Sequence, residues 1–153
     1  YDGSAGVHHG YIFDSGVFRD VDFPGAHATG AQDINDLKRI AGGYVDANAN
    51  GVQHGFLLAK GVFTSIDLPG AAGTRAQGIN ILGHIVGGWS DDPECPGCFT
   101  HAFLLTPHGF ESLEFPDALE TVAYGINAAG QIVGGYLGED DLFHGYLRDH
   151  EDD

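Results

Sequence analysis

Apolar residues in this chain come in short runs and alternations, each closed by Gly, Pro, Asn or Asp. "HGFLLAKGVFTSIDLPG", from His54, is typical: an apolar stretch, a Gly-containing turn, then a second β-like stretch that Pro69 ends. Phe56 and Leu58 share one face of the first stretch and Leu57 the other, so it is expected to be covered on both sides. No segment keeps a 3.6-residue period over the length of a helix, so the pattern predicts short strands throughout.

The same phrase returns as "HGYIFDSGVFRDVDFPG" from His9 and "HAFLLTPHGFESLEFPD" from His101, and begins again as "HGYLRD" at His144. These histidines are 45, 47 and 43 residues apart. Each full period carries four strand-like phrases, here called a to d. Position a reads "ATGAQDIN" from Ala28, "TRAQGIN" from Thr74 and "TVAYGIN" from Thr121. An Asn-x-x-Gly turn (Asn80 to Gly83, Asn127 to Gly130) leads to b, which reads "RIAGGY", "HIVGGW" or "QIVGGY". The first copy has Asn35 to Lys38 without the Gly, so its turn is expected to find a left-handed residue elsewhere or to use another geometry. A variable loop then leads to c at the histidine, and d follows up to Pro24, Pro69 or Pro116, since proline cannot donate to a ladder. The pairs Gly42-Gly43, Gly87-Gly88 and Gly134-Gly135 are expected to let a neighbouring sheet come close.

Four short strands in about 45 residues is the blade of a β-propeller. The expected fold is therefore all-β: a β-propeller-type repeat array of four-stranded blades. Residues 1–153 form a single repeat domain of about three repeats, starting near His9, His54 and His101, with a partial repeat from His144. The phrases "FTSIDLPGA", "AQGIN", "GHIVGGW", "HGFLL" and the triplet His101-Ala102-Phe103 resemble the bacterial extracellular HAF repeats over almost the whole chain. That resemblance implies export and a propeller-like array, with no fixed activity.

The repeats are out of phase with the blade boundaries. Tyr1 aligns with the end of a b strand (Tyr44, Trp89, Tyr136), so the chain opens with c and d and closes with a, b and a surplus c. Propellers typically have about four to eight blades. Strand exchange between two chains would complete a six-bladed ring, and a contact that fails to close would make a filament. The alternative is a piece excised from a longer array, and a chain that begins at Tyr1 and contains no Met is expected to be a processed or excised product.

Composition narrows the partners. With 6 Lys+Arg against 22 Asp+Glu the formal charge is −16, which repels nucleic acid and anionic lipid. A hydrophobic share of 42% against 18% charged residues supports a packed fold and argues against an acidic disordered tail. No apolar run approaches the ~20 residues of a membrane-spanning helix, so membrane insertion is not expected. The expected location is extracellular or at the cell surface.

Candidate chemistry is sparse. "DANANG" has the alternating oxygen donors and the Gly of a calcium loop, which gives Asp46, Asn48 and Asn50 as candidate Ca²⁺ ligands. Against this, the acid that closes such a loop is missing, since Leu57 takes its place, and an Asn-rich turn without metal also fits. Ca²⁺ is thus a candidate and no cofactor is required. Cys95 and Cys98, in "DDPECPGC", suit a small loop disulfide or an idle thiol pair. Tyr44, Trp89 and Tyr136 share one position beside the variable loops, where rings either stack on a sugar or pack between blades. The repeated histidines are expected to act as hydrogen-bonding pegs that hold the b–c loop. There is no nucleophile elbow, P-loop, H-E-x-x-H or dinucleotide fingerprint.

The function expected from these features is a secreted, acidic, non-enzymatic scaffold whose partner is itself, as homo-oligomer or polymer. The alternatives are a carbohydrate- or surface-binding lectin-like module and a metal-assisted hydrolase.

Overall fold

The structure, a computed structural model, describes residues 2–3, 7–47 and 51–149. Its described residues are all-β and contain no helix. A short pair, β1 (Asp2–Gly3) and β2 (Val7–His8), precedes the hairpin of β3 (Gly10–Asp14) and β4 (Val17–Val21). A four-stranded sheet follows: β5 (Ala26–Ile34), β6 (Ile40–Asp46), β7 (Gln53–Ala59) and β8 (Val62–Ile66). A second has the same order: β9 (Gly73–Ile79), β10 (Ile85–Ser90), β11 (His101–Thr106) and β12 (Gly109–Leu113). The last sheet has three strands, β13 (Glu120–Ile126), β14 (Ile132–Leu137) and β15 (Phe143–Arg148). Each strand pairs antiparallel with its sequence neighbour, so the phrases a to d form simple meanders.

Local chemistry sets the a–b hairpins. The Gly83 N–H donates to the Asn80 carbonyl at 3.0 Å and Gly130 to Asn127 at 3.1 Å, with positive φ at both glycines. The first copy closes the same turn: Lys38 itself takes φ 56° and its N–H meets the Asn35 carbonyl at 2.9 Å. The missing glycine is thus tolerated in place, at a local cost of roughly 1–2 kcal/mol for a left-handed residue with a Cβ. In all three a strands a residue beside the paired glycines is out of register, Gln32, Gln77 or Tyr124, which bends the strand there, and β5 has a second such residue at His27.

Those glycines serve the sheet's own interior first. A methyl at Gly42, Gly87 or Gly134 would run into the carbonyl of the a strand and into the ring of Phe56, Phe103 or Tyr146 on the c strand. The approach of a neighbouring sheet falls instead at the second glycine in one copy and on strand c. The Arg75 stem of β9 covers Gly43, and a Cβ at Gly55 would stand 3.3 Å from the Ala76 nitrogen. At the position of Gly55 the next sheet carries Ala102, which is fully buried against Ala123.

The hydrophobic core lies between sheets. One cluster joins Val21 to Ile40 and Phe56, the next joins Ala41 and Ile66 to Ala76, Ile79, Ile85 and Phe103, and the third joins Val86, Ala102 and Leu113 to Ala123 and Ile132. Each cluster takes side chains from two consecutive sheets, so no sheet owns a complete core.

Buried polar groups tie the same seams. Thr29, Thr74 and Thr121, all buried, accept the backbone N–H of Phe23, Leu68 and Phe115 at 3.0, 3.1 and 3.0 Å, pinning each d-to-a crossing. The Asn35 side-chain amide donates to the Asn80 carbonyl at 2.8 Å, and the Asn80 amide donates to the Asn127 carbonyl at 3.2 Å. Each asparagine also caps its own turn: the His84 N–H donates to Asn80 Oδ1 at 2.9 Å. Asp33 adds a second tie, accepting the Ile79 N–H at 2.8 Å.

Asn80 is buried and bonded in both directions, whereas Asn127 is exposed and returns its amide to Gln131. Asn80→Ala is expected to lower stability by about 1–3 kcal/mol, the penalty of orphaned buried groups, and Asn127→Ala by clearly less. Urea unfolding followed by tryptophan fluorescence measures both; equal losses would show that the asparagines act only as local turn caps.

Candidate functional site

The repeated histidine, the aromatic of strand b and an acid at the end of strand d form one side-chain unit. His54 Nδ1 lies 2.7 Å from a carboxylate oxygen of Asp67, and the His54 ring stacks on Tyr44. The Tyr44 hydroxyl lies 3.0 Å from Ser65 Oγ, which donates to Asp67 at 2.6 Å and closes the circuit. His101 repeats the stack, on Trp89, and the carboxylate contact, with Glu114, to which Ser112 Oγ donates, but the Trp89 Nε1 is buried without a hydrogen-bond partner among the described residues; His9 pairs with Asp22 at 3.0 Å. The separation is 13 residues in all three pairs, a spacing legible in the sequence. The histidine therefore fastens strand c to the end of strand d, and His101 also lies near a b–c loop acid, with Nε2 3.7 Å from Asp91.

The fourth copy differs. His144 turns Nε2, not Nδ1, to Asp140 in the b–c loop at 3.1 Å while keeping its stack on Tyr136. That hydrogen bond, with the Leu142 N–H donating as well, holds the Asp140 carboxyl below its ordinary value of 3.8. Nearby, burial pushes the Tyr146 hydroxyl up to about 12, and this buried oxygen has no hydrogen-bond partner among the described residues.

Tyr44, Trp89 and Tyr136 are half-buried in these stacks. Tyr44 lies 3.7 Å from the Phe23 ring and Tyr136 3.8 Å from Phe115, nearly parallel in both cases, and Trp89 and Leu68 both pack against the Phe103 core cluster. Since each ring also stacks on its histidine, a sugar would have to displace a protein ring to use it. Asp46 ends β6, while Asn48 and Asn50 lie outside the described residues. Among the described residues no group of three or more His, Cys, Asp or Glu is placed to hold a metal ion. Cys95 and Cys98 are joined in a disulfide that closes the b–c loop of the second sheet, and Ser90 Oγ donates to the Cys95 carbonyl at 3.0 Å.

Among the described residues the two end sheets hold complementary sets of strands. The β3–β4 hairpin supplies c and d without a long b strand beside β3, and its Tyr11 is 53% exposed where Phe56 and Phe103 are 0% exposed. Phe13 and Phe18 on the same hairpin are also exposed. At the other end β15 is an edge strand with no d strand beside it among the described residues, and Phe143 and Leu147 are exposed. Exposed aromatic rings beside strand edges that are unpaired among the described residues are the kind of surface to which another strand can add.

Two outcomes follow from this geometry. In a double-mutant cycle of His54→Ala and Asp67→Ala, the pair is expected to couple by about 0.5–1 kcal/mol, since both side chains are partly exposed; no coupling in thermal unfolding would reduce the pair to a coincidence of placement. Asp140 is expected to titrate below 3.8 by carbon-detected NMR and to move upward in His144→Ala. Its contribution to stability is present above the unfolded value and is lost as pH falls through the lower folded value.

No helix among the described residues is long and apolar enough to cross a membrane. No protein-family model, curated protein or solved structure matches the chain, so its function has to be argued from this geometry.

Proposed function

We propose that this chain is a non-catalytic, extracellular scaffold in which propeller-type units of four strands associate end to end. The observation that carries this reading is the contrast at one position of strand c: Phe56 and Phe103 are fully buried, and their counterpart Tyr11 is half-exposed beside Phe13 and Phe18. The propeller-type arrangement is supported by the adjacency of the first strands, β5 against β9 and β9 against β13, while each following a strand packs on strands b and c of the sheet before it. That stacking extends by adding units, because every seam is built from the same apolar positions. The acidic balance, −16 overall, keeps such an assembly soluble and turns away nucleic acid.

The first experiment is the absolute mass of the purified chain by light scattering over a range of concentrations, with calcium and with EDTA. A dimer or a larger species that grows with concentration is expected. A folded monomer at every concentration would overturn the reading, and a mass that responds to EDTA would give the Asp46 loop a role in assembly.

A further inference from the structure

The second glycine of each b strand pairs with one residue of strand a: Gly43 with Gly30, Gly88 with Arg75 and Gly135 with Val122. In the first of these sheets both strands therefore carry glycine at this place. What lies over the second glycine differs as well. In the later sheets it is a ring, Phe99 at Gly88 and Tyr124 at Gly135. At Gly43 it is the aliphatic stem of Arg75, which comes from β9 of the next sheet; a Cβ on Gly43 would stand 3.2 Å from Arg75 Cγ. The two bare backbones form the floor of a cleft of about 180 Å³ lined by Gly30, Gln32, Gly43, Tyr44, Gln53 and Arg75, among others.

The chemistry of this lining runs against the balance of the chain. With 22 Asp+Glu against 6 Lys+Arg, no Asp or Glu stands among the described residues that line the cleft. Arg75 is half-buried, and its guanidinium makes no hydrogen bond or ion pair among the described residues. The side-chain amides of Gln32 and Gln53 are unpaired in the same sense. Packing does not call for a cation here, since Val122 fills the same register in the last sheet at 9% exposure. An arginine laid down along its stem keeps a planar fork of N–H donors free, and that fork matches a carboxylate bidentately. Primary amides donate and accept, as hydroxyls do, so the two glutamines suit hydroxyl groups beside that carboxylate. The Tyr44 ring offers no open stacking face, because it stacks on both Phe23 and His54.

We propose that the cleft over Gly30 and Gly43 binds a small hydroxylated carboxylate, the chemistry of a uronic acid. Arg75 takes the carboxylate through two N–H donors, and Gln32 and Gln53 take hydroxyls of the same molecule. The charge of Arg75 selects an acid over a neutral sugar, and the volume admits a single sugar ring. The surrounding acidity, −16 overall, opposes a densely charged polyanion, so the ligand is one carboxylate among hydroxyls. The site is built by β5, β6 and β7 with one side chain of β9, and it does not rest on the scaffold reading.

The test is an NMR titration of the whole chain with glucuronate, with glucose and acetate as controls. Glucuronate is expected to move the Arg75 Nε–H and the Gln32 and Gln53 side-chain amide signals saturably. Binding is expected to weaken by about tenfold or more for glucose, and for glucuronate in Arg75→Gln, the loss of a charge-assisted contact. Gly30→Val puts on the floor of the cleft the residue that the last sheet carries at this place and leaves Arg75 intact; it is expected to stay folded by thermal unfolding and to lose binding. Signals that glucuronate leaves unmoved would overturn the site. Equal binding of glucose would overturn the role of Arg75, and equal binding of acetate would overturn the hydroxyl contacts of the glutamines. Undiminished binding in Gly30→Val would overturn the placement of the ligand in this cleft.

Discussion

Burial of the c-strand ring is the constraint on which the rest depends. Phe56 and Phe103 reach zero exposure because a glycine of their own b strand lies beneath them while the sheet packs against its neighbour. A side chain at Gly42 or Gly87 would occupy the space of the ring and collide with the a-strand carbonyl, so ring and glycine are selected as a pair. Once the ring is seated, Ala41, Ile66, Ala76 and Ile85 close around the seam, and the core becomes the property of two sheets.

Polar groups follow the same seams and give them a direction. Asn35 donates to Asn80 and Asn80 to Asn127, always from one sheet to the next, so the series has a donating and an accepting end. The buried threonines fix each crossing, and the histidine–acid pairs fasten the outer strand. The partly exposed histidine–acid pairs add little strength, as expected where solvent competes. Their value is positional: they set where strand d ends, and so where the next unit starts.

In the interior every aromatic of the b and c positions is stacked or buried; on β3–β4 Tyr11, Phe13 and Phe18 are exposed, while on β15 Phe143 is exposed and the strand-c ring Tyr146 is half-buried against the core. Tyr11 and Phe18, uncovered on the β3–β4 hairpin, occupy positions that are buried or stacked in the complete sheets.

Much of the fold was legible along the chain. Apolar alternation, Asn-x-x-Gly turns and terminal prolines determined the strands and their meander order, because these are local preferences of backbone and turn. The 13-residue spacing of histidine and acid was also present, and its meaning needed the strand pairing that brings His54 beside Asp67. Other features were decided only in three dimensions. Lys38 accepts a left-handed backbone because Asn35 and the following strand hold the turn, and the paired glycines face inward because a bulge at Gln32, Gln77 or Tyr124 sets the register. Whether Tyr44, Trp89 and Tyr136 are free to meet a ligand or are stacked on protein rings depends on contacts between residues far apart in the chain, which no local pattern encodes. The sequence by itself determined the strands and their repetition; tertiary packing alone decided which rings are buried and which stay exposed, since burial depends on having a neighbouring sheet.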